Sequence, residues 1–283
     1  MSGQKIPAPL RCGPYSITFE RTRIMGIVNV TPDSFSDGGQ FLHPDRAVER
    51  GLELVESGAD ILDVGGESTR PGSDYVSVEA ELRRVLPVVE RLLAETAVPI
   101  SIDTRKPEVA GECLRRGAHM VNDICGLRLP EMREVAAEFA VPVVIMHMQG
   151  EPKTMQQSPH YDDVVQEVKQ FLAQQAALAR EAGIGQLIVD PGIGFGKTLA
   201  HNLEILRHLE QFAALGYPLL LGTSHKRFIQ MITGVQEPPE REPGTIASNV
   251  IGIIKGANIL RVHNVKACKQ AVQVCEAILG VGT

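Results

Sequence analysis

Eight short apolar runs of β-type residues recur along this chain, and polar or charged residues stand where each run stops. They occupy residues 24–29, 61–64, 100–103, 120–123, 143–147, 187–190, 219–222 and 259–262. Between them lie amphipathic stretches, among them 47–57, 78–94, 108–116, 130–139 and 162–182, whose apolar residues recur at three- and four-residue spacing. Near-continuous hydrophobic strands alternating with helices define a parallel sheet that is covered on its outside. Eight such units in a chain of 283 residues fit an α/β fold, a single closed (β/α)8 TIM barrel, better than an open doubly wound sheet. No linker or shift of composition divides the chain. Residues 1–20 read as an N-terminal leader with a possible short hairpin, its strand at 15–19, and residues 21–283 as the barrel.

A barrel of this kind gathers its strand ends at one mouth. Those ends offer Asn29, Asp63, Asp103, Asn122 with Asp123, His147, Asp190, Ser224 with Lys226, and Arg261 with His263. One polar residue at a strand end is most often a satisfied structural group, because buried charge persists where it is paired. Eight in matching positions form a constellation. Asp103, Asn122 and Asp190 are acceptors suited to a heterocycle edge that presents N–H donors. Lys226, Arg261, His263 and Arg70 suit a phosphate or diphosphate. Asn29, an oxygen donor on a strand, suits a share in Mg2+, which keeps waters and shares its ligands with substrate phosphates.

Three loops at strand ends are long, covering about residues 31–44, 65–77 and 149–161. The second holds Gly-Glu-Ser-Thr-Arg-Pro-Gly at 66–72, where hydroxyls and an arginine between glycines suit closure over an anion. A solvated turn is the plain alternative. The prolines at 238, 239 and 243 suggest a rigid connector. The run from Gly192 to Thr198 invites a phosphate-loop reading and fails it, since Pro191 stands where that motif needs glycine. It reads instead as a tight turn opening a helix. His147 lacks a second histidine at ligand spacing, so a metal there is not expected. No Ser-His-Asp or Cys-His pairing suggests a covalent intermediate.

Composition removes other classes. A formal net charge of −6 argues against a nucleic-acid stripe. Five scattered cysteines, none spaced as a pair, argue for reduced thiols in the cytoplasm rather than a disulfide frame or zinc site. Prolines and an arginine break the first residues, so no signal peptide is expected, and no apolar run approaches the roughly 20 residues of a membrane helix.

Several segments resemble the dihydropteroate synthases of folate biosynthesis. They are IMGIVNVTPDSFSDGG (24–39), ILDVGGESTRPG (61–72), SIDTRKPEVA (101–110), VNDICGL (121–127), MHMQGEPKTMQ (146–156), VDPGIGFGKT (189–198), LLLGTSHKRFI (219–229) and ILRVHNV (259–265). The resemblance implies a barrel enzyme, a transferase that joins 6-hydroxymethyl-7,8-dihydropterin diphosphate to 4-aminobenzoate and releases diphosphate and 7,8-dihydropteroate. It implies that Asp103, Asn122, Asp190 and Lys226 hold the pterin, that Asn29 binds Mg2+, and that Arg261 and His263 clasp the diphosphate. It also implies an aminobenzoate site of Phe35, Thr69, Arg70, Pro71 and Ser224, and a homodimer.

One departure stands out. The family usually has arginine between the Ser and Lys of the seventh strand end, where this chain has His225. A neutral histidine there implies weaker binding of aminobenzoate and of sulfonamides that mimic it. Two other readings share the barrel: a methyltransferase acting on methyltetrahydrofolate and a corrinoid, and a silent pterin-binding protein. Arg70, its loop and His263 speak against the first, and only His225 favours the second.

Overall fold

The computed structural model describes residues 6–31, 44–68 and 73–281. After a short antiparallel hairpin, β1 (Leu10–Cys12) and β2 (Tyr15–Ile17), the chain alternates strands and helices. These are β3 (Arg23–Asn29), α1 (Pro44–Glu56), β4 (Ile61–Gly65), α2 (Val78–Glu95), β5 (Ile100–Asp103), α3 (Pro107–Arg115), β6 (Met120–Asp123), α4 (Pro130–Glu138) and β7 (Val143–Met146). There follow α5 (Val164–Glu181), β8 (Leu187–Asp190), α6 (Leu199–Arg207), α7 (Glu210–Ala213), β9 (Leu220–Leu221), α8 (Arg227–Thr233), α9 (Glu242–Ile254), β10 (Ile259–Val262) and α10 (Val265–Leu279).

Strands β3 to β10 pair in parallel in the order β8-β7-β6-β5-β4-β3-β10-β9. The ring closes through a parallel bridge between Val189 and Leu219, beside which the Val189 N–H donates to the Pro218 carbonyl at 2.9 Å. The result is the eight-stranded barrel expected from the alternation.

Parity along each strand sorts the side chains. Ile24, Val28, Leu62, Val64, Ile102, Val121, Val143, Ile145 and Val189 face outward and bury their surface in the layer between sheet and helices. Met25, Ile61, Met120, Val144, Ile188, Leu220 and Ile259 fill the floor, which Leu10, Cys12, Ile17 and Phe19 seal from below. The leader therefore plugs the barrel bottom, and its second strand stops at Ile17, short of the Phe19 suggested by the apolar pattern.

Register also explains why polar residues can occupy the mouth. Asn29, Gly65, Asp103, Asn122, Val144 and Ile188 are successive partners across five strand pairs. Because strands in a closed barrel are staggered, this row starts at the mouth on β3 and reaches the floor on β8. The prolines expected in a connector divide differently. Pro238 and Pro239 open a 3-10 turn (Pro238–Arg241), and Pro243 sits in the first turn of α9, where a missing N–H leaves no hydrogen bond unmade.

Candidate active site

The mouth pocket is lined below and on one side by apolar residues and on the other by charge. Ile27, Ile124, Met146, Ile193 and Phe195 form the dry wall; Asp103, Asn122, Asp190, Ser224, Lys226, Arg261 and His263 complete it. The apolar side is continuous with a small buried cluster of Ile124, Met146, Met148, Met155 and Phe195 above β6 to β8.

Beneath the pocket lies Asp63, fully buried on the inward face of β4. Its Oδ2 accepts from Arg261 Nε at 2.6 Å and from Asn122 Nδ2 at 2.9 Å. Arg261 reaches Asp103 Oδ2 with its other arm, also at 2.6 Å. One arginine is thus forked between two strand-end carboxylates, which fixes its plane. Burial works against the guanidinium charge, yet Asp63 and Asp103 hold the Arg261 pKa above its ordinary value. Asp103 responds in the opposite sense. Burial, reinforced by Asp63 and Glu81, pushes its pKa up to about 7 although Arg261 and Lys226 pull it down. Its Oδ1 is buried and has no hydrogen-bond partner among the described residues, as is also true of Asp63 Oδ1, and Asp103 lines the pocket.

Asp190, at the end of β8, accepts the Gly192 N–H on Oδ1 at 2.7 Å, and burial raises its pKa. Lys226 occupies the N-cap of α8, so the tight turn after β9 delivers its side chain into the pocket. The ammonium lies 4.0 Å from the centre of the Phe195 ring, and burial lowers its pKa to about 8, opposed by Asp190 and Asp103. The ring face supplies part of the stabilisation that water would give.

His263 Nδ1 lies 2.9 Å from Ser224 Oγ, and the His263 N–H also donates to that oxygen at 3.2 Å. His225 has a left-handed backbone, φ 58°, and its ring is stacked on His263, with centres 4.8 Å apart and planes 6° from parallel. Its Nε2 meets Glu242 Oε2 at 2.8 Å. Asn29 ends β3, half-buried, two residues beyond pocket-lining Ile27 and so on the same face.

Two strand-end residues do not join the site, contrary to the convergence expected of all eight ends. Asp123 is one residue past inward-facing Asn122 and turns outward, where its carboxylate accepts the Cys125 and Leu127 N–H groups, each at 2.8 Å. His147 follows inward-facing Met146 and likewise points away, with Nδ1 2.9 Å from Lys197 Nζ. A period of two decides both cases. Conversely, Phe195 belongs to the site's machinery and was not among its predicted residues, and Asp63, named among the strand ends without a role, supports the pocket from beneath. Asp63 shares parity with floor residue Ile61, which is the signal that marks it as inward. Phe35, Thr69, Arg70 and Pro71 lie outside the described residues.

The fold and mouth define a class: a (β/α)8-barrel enzyme whose pocket sets buried acceptors beside cationic side chains. A family model described as "Pterin binding enzyme" matches residues 25–263. The dihydropteroate synthase of Escherichia coli strain K12 is 49% identical over 266 residues, covering 93% of this chain and 94% of that protein. A structure of the Xanthomonas albilineans dihydropteroate synthase with 4-aminobenzoic acid superposes with a TM-score of 0.92 at 49% identity, covering 98% of this chain and all (100%) of the other. A further structure of that enzyme, in complex with 7,8-dihydropteroate, gives a TM-score of 0.88 at 46% identity, with coverage of 97% and 100%. The chain belongs to the pterin-binding enzymes and, within them, to the dihydropteroate synthases.

Proposed function

We propose a division of labour among the mouth residues for the synthase reaction, in which a dihydropterin diphosphate and 4-aminobenzoate become 7,8-dihydropteroate and diphosphate. The observation that carries it is Asp103 Oδ1, which has no hydrogen-bond partner among the described residues, in a pocket walled by Phe195 and Lys226. Asp103, Asn122 and Asp190 take the N–H donors and ring edge of the pterin. Lys226, held over Phe195, faces the same ring. Arg261 and His263 receive the diphosphate as the methylene C–O bond breaks and its electron pair leaves with oxygen. The arylamine nitrogen then forms the new C–N bond and loses a proton. An electron-rich dihydropterin supports positive charge at the methylene, and a dry apolar wall keeps water from trapping it. Ser224, bonded to His263, stands on the side assigned to aminobenzoate.

Mg2+ fits this arrangement as a group held mainly by substrate. No cluster of three or more His, Cys, Asp or Glu able to hold a metal ion occurs among the described residues. Asn29 offers a neutral oxygen donor at the mouth, in keeping with an ion that retains waters and phosphate ligands. When bound, the ion neutralises charge on the departing diphosphate.

We further propose a homodimer in the cytoplasm. An apolar groove of about 440 Å³ runs between α6, α8 and α9, and Met231, Ile232, Ile251 and Ile254 expose apolar side chains on the last two of these helices. A second copy would cover that face, and sedimentation across a dilution series tests it. Four buried thiols and one partly buried thiol, all free, accord with a reducing compartment. No described helix is long and apolar enough to cross a membrane.

The test of the reaction is diphosphate release from the dihydropterin diphosphate with Mg2+, with and without 4-aminobenzoate. Release that rises with aminobenzoate and matches dihydropteroate supports the reading. Tight pterin binding without aminobenzoate-dependent product overturns it in favour of a silent binder.

A further inference from the structure

Lys197 is nearly fully buried and takes no part in the chemistry above. Its ammonium lies 2.9 Å from the Gly192 carbonyl, 3.0 Å from that of Phe195, 3.3 Å from that of His147, and 2.9 Å from His147 Nδ1. No carboxylate is hydrogen-bonded to it among the described residues. Burial is expensive for an ammonium, so a lysine kept here must serve a purpose that methionine would not. A phosphate-binding purpose is excluded by the same geometry, since all its hydrogen-bonding capacity is used within the protein.

What the ammonium holds is the turn between β8 and α6. That turn needs three left-handed glycines, and a Cβ at Gly192 or Gly196 would lie 1.9 Å or 2.3 Å from a backbone oxygen of the chain after β7. So close an approach of two backbones sets carbonyl oxygens beside one another, and the Lys197 Nζ, donating to all three, relieves that repulsion. His147 is the other half of the lock. Burial, then Lys197 and Arg128, push its pKa down to about 2, so the ring is neutral, and it packs edge-on against Phe171 with centres 5.0 Å apart.

The inner side of this turn is pocket wall. Ile193 and Phe195 line the pocket, and Phe195 carries the Lys226 ammonium on its ring. A Cβ added to Gly194 would come within 3.2 Å of Lys226 Cδ, so backbone and lysine are already in close contact there. The outward bonds of Lys197 therefore fix the inward position of Phe195 and, through it, of Lys226.

We propose that Lys197 is a positioning residue for the pterin pocket: by tying His147 at the end of β7 to the Gly192 and Phe195 carbonyls, it holds Phe195 under Lys226. The inference rests on the pterin reading, and turnover of the unaltered chain in the same assay separates failure of that reading from failure of this one.

The experiment is Lys197→Met in the full-length chain, with steady-state kinetics for each substrate and a thermal melt. The expected result is a folded protein whose KM for the dihydropterin diphosphate rises about tenfold, while that for aminobenzoate stays within about twofold. In a Phe195→Ala background, Lys197→Met should add almost nothing, because both changes act through one ring. Unchanged pterin KM in the folded variant, or equal rises for both substrates, would overturn the proposal. So would full additivity with Phe195→Ala. Should Lys197→Met not fold, His147→Gln removes the ring contact and leaves the carbonyl contacts, and the same selective rise, about threefold, is expected; its absence would count against the proposal equally.

Discussion

Asp63→Asn would separate the support beneath the pocket from the pocket itself. The carboxylate is fully buried, 2.6 Å from Arg261 Nε and 2.9 Å from Asn122 Nδ2. Breaking a buried ion pair by removing one partner commonly destabilises by about 3–5 kcal/mol. Arg261 keeps Asp103 as a second partner, and an asparagine oxygen can still accept one hydrogen bond. A loss of about 2–3 kcal/mol follows, within the range of a charge-assisted hydrogen bond. A stable domain survives that loss. The same change acts on Asp103 with opposite sign. Asp63 helps to raise the Asp103 pKa, so Asp63→Asn lowers it from about 7. Urea unfolding measures the first effect and pH-dependent calorimetry of pterin binding measures the second, as an acid shift of the midpoint. Unchanged stability together with an unmoved midpoint would refute the reasoning, because nothing beneath the pocket would then be coupled to it.

Other outcomes follow from the same contacts. Pterin affinity should be greatest between the pKa of Asp103, about 7, and that of Lys226, about 8. Below that window Asp103 takes a proton and loses an acceptor, so affinity falls about tenfold per unit of pH, and Asp103→Asn should erase this acidic limb in calorimetry. His147, neutral with its pKa lowered to about 2, binds fewer protons folded than unfolded. The stability it contributes is complete above about pH 6.5, its ordinary value, and is lost as pH falls toward 2. Urea midpoints in His147→Asn should therefore decline less steeply with acid than in the unaltered chain. His225→Ala removes both the stack on His263 and the partner of Glu242, and kcat/KM should fall about three- to tenfold. His225→Arg tests the family difference directly: a lower KM for aminobenzoate is expected, and an unchanged one would sink the idea.

The sequence made the strands legible because buried parallel strands are apolar on both faces, and those runs announced themselves. The stretches read from 78 and 130 begin where helices begin, at Val78 behind the Ser77 cap and at Pro130 in α4, whereas those read from 47 and 108 start after the prolines that open α1 and α3. The seventh strand was read as residues 219–222 and narrows to Leu220–Leu221, since its edges depend on neighbours rather than on its own residues. Within the site, Asp103, Asn122, Asp190, Lys226 and Arg261 come together because each keeps inward parity or follows a tight turn. Asp123 and His147 were placed with them because position at a strand end was read without parity. The bonds of Asp63 to residues 59 and 198 positions away could not be inferred from local pattern, because barrel closure alone makes them neighbours. The three-carbonyl seat of Lys197 depends likewise on two loops meeting.

The most direct test of the site is a crystal structure of this chain with the dihydropterin diphosphate. The account predicts the pterin between Phe195 and the β3–β5 side of the barrel, with a ring N–H on Asp103 Oδ1 and the diphosphate against Arg261 and His263. A pterin bound elsewhere, or one that leaves Asp103 Oδ1 without a donor, would contradict it.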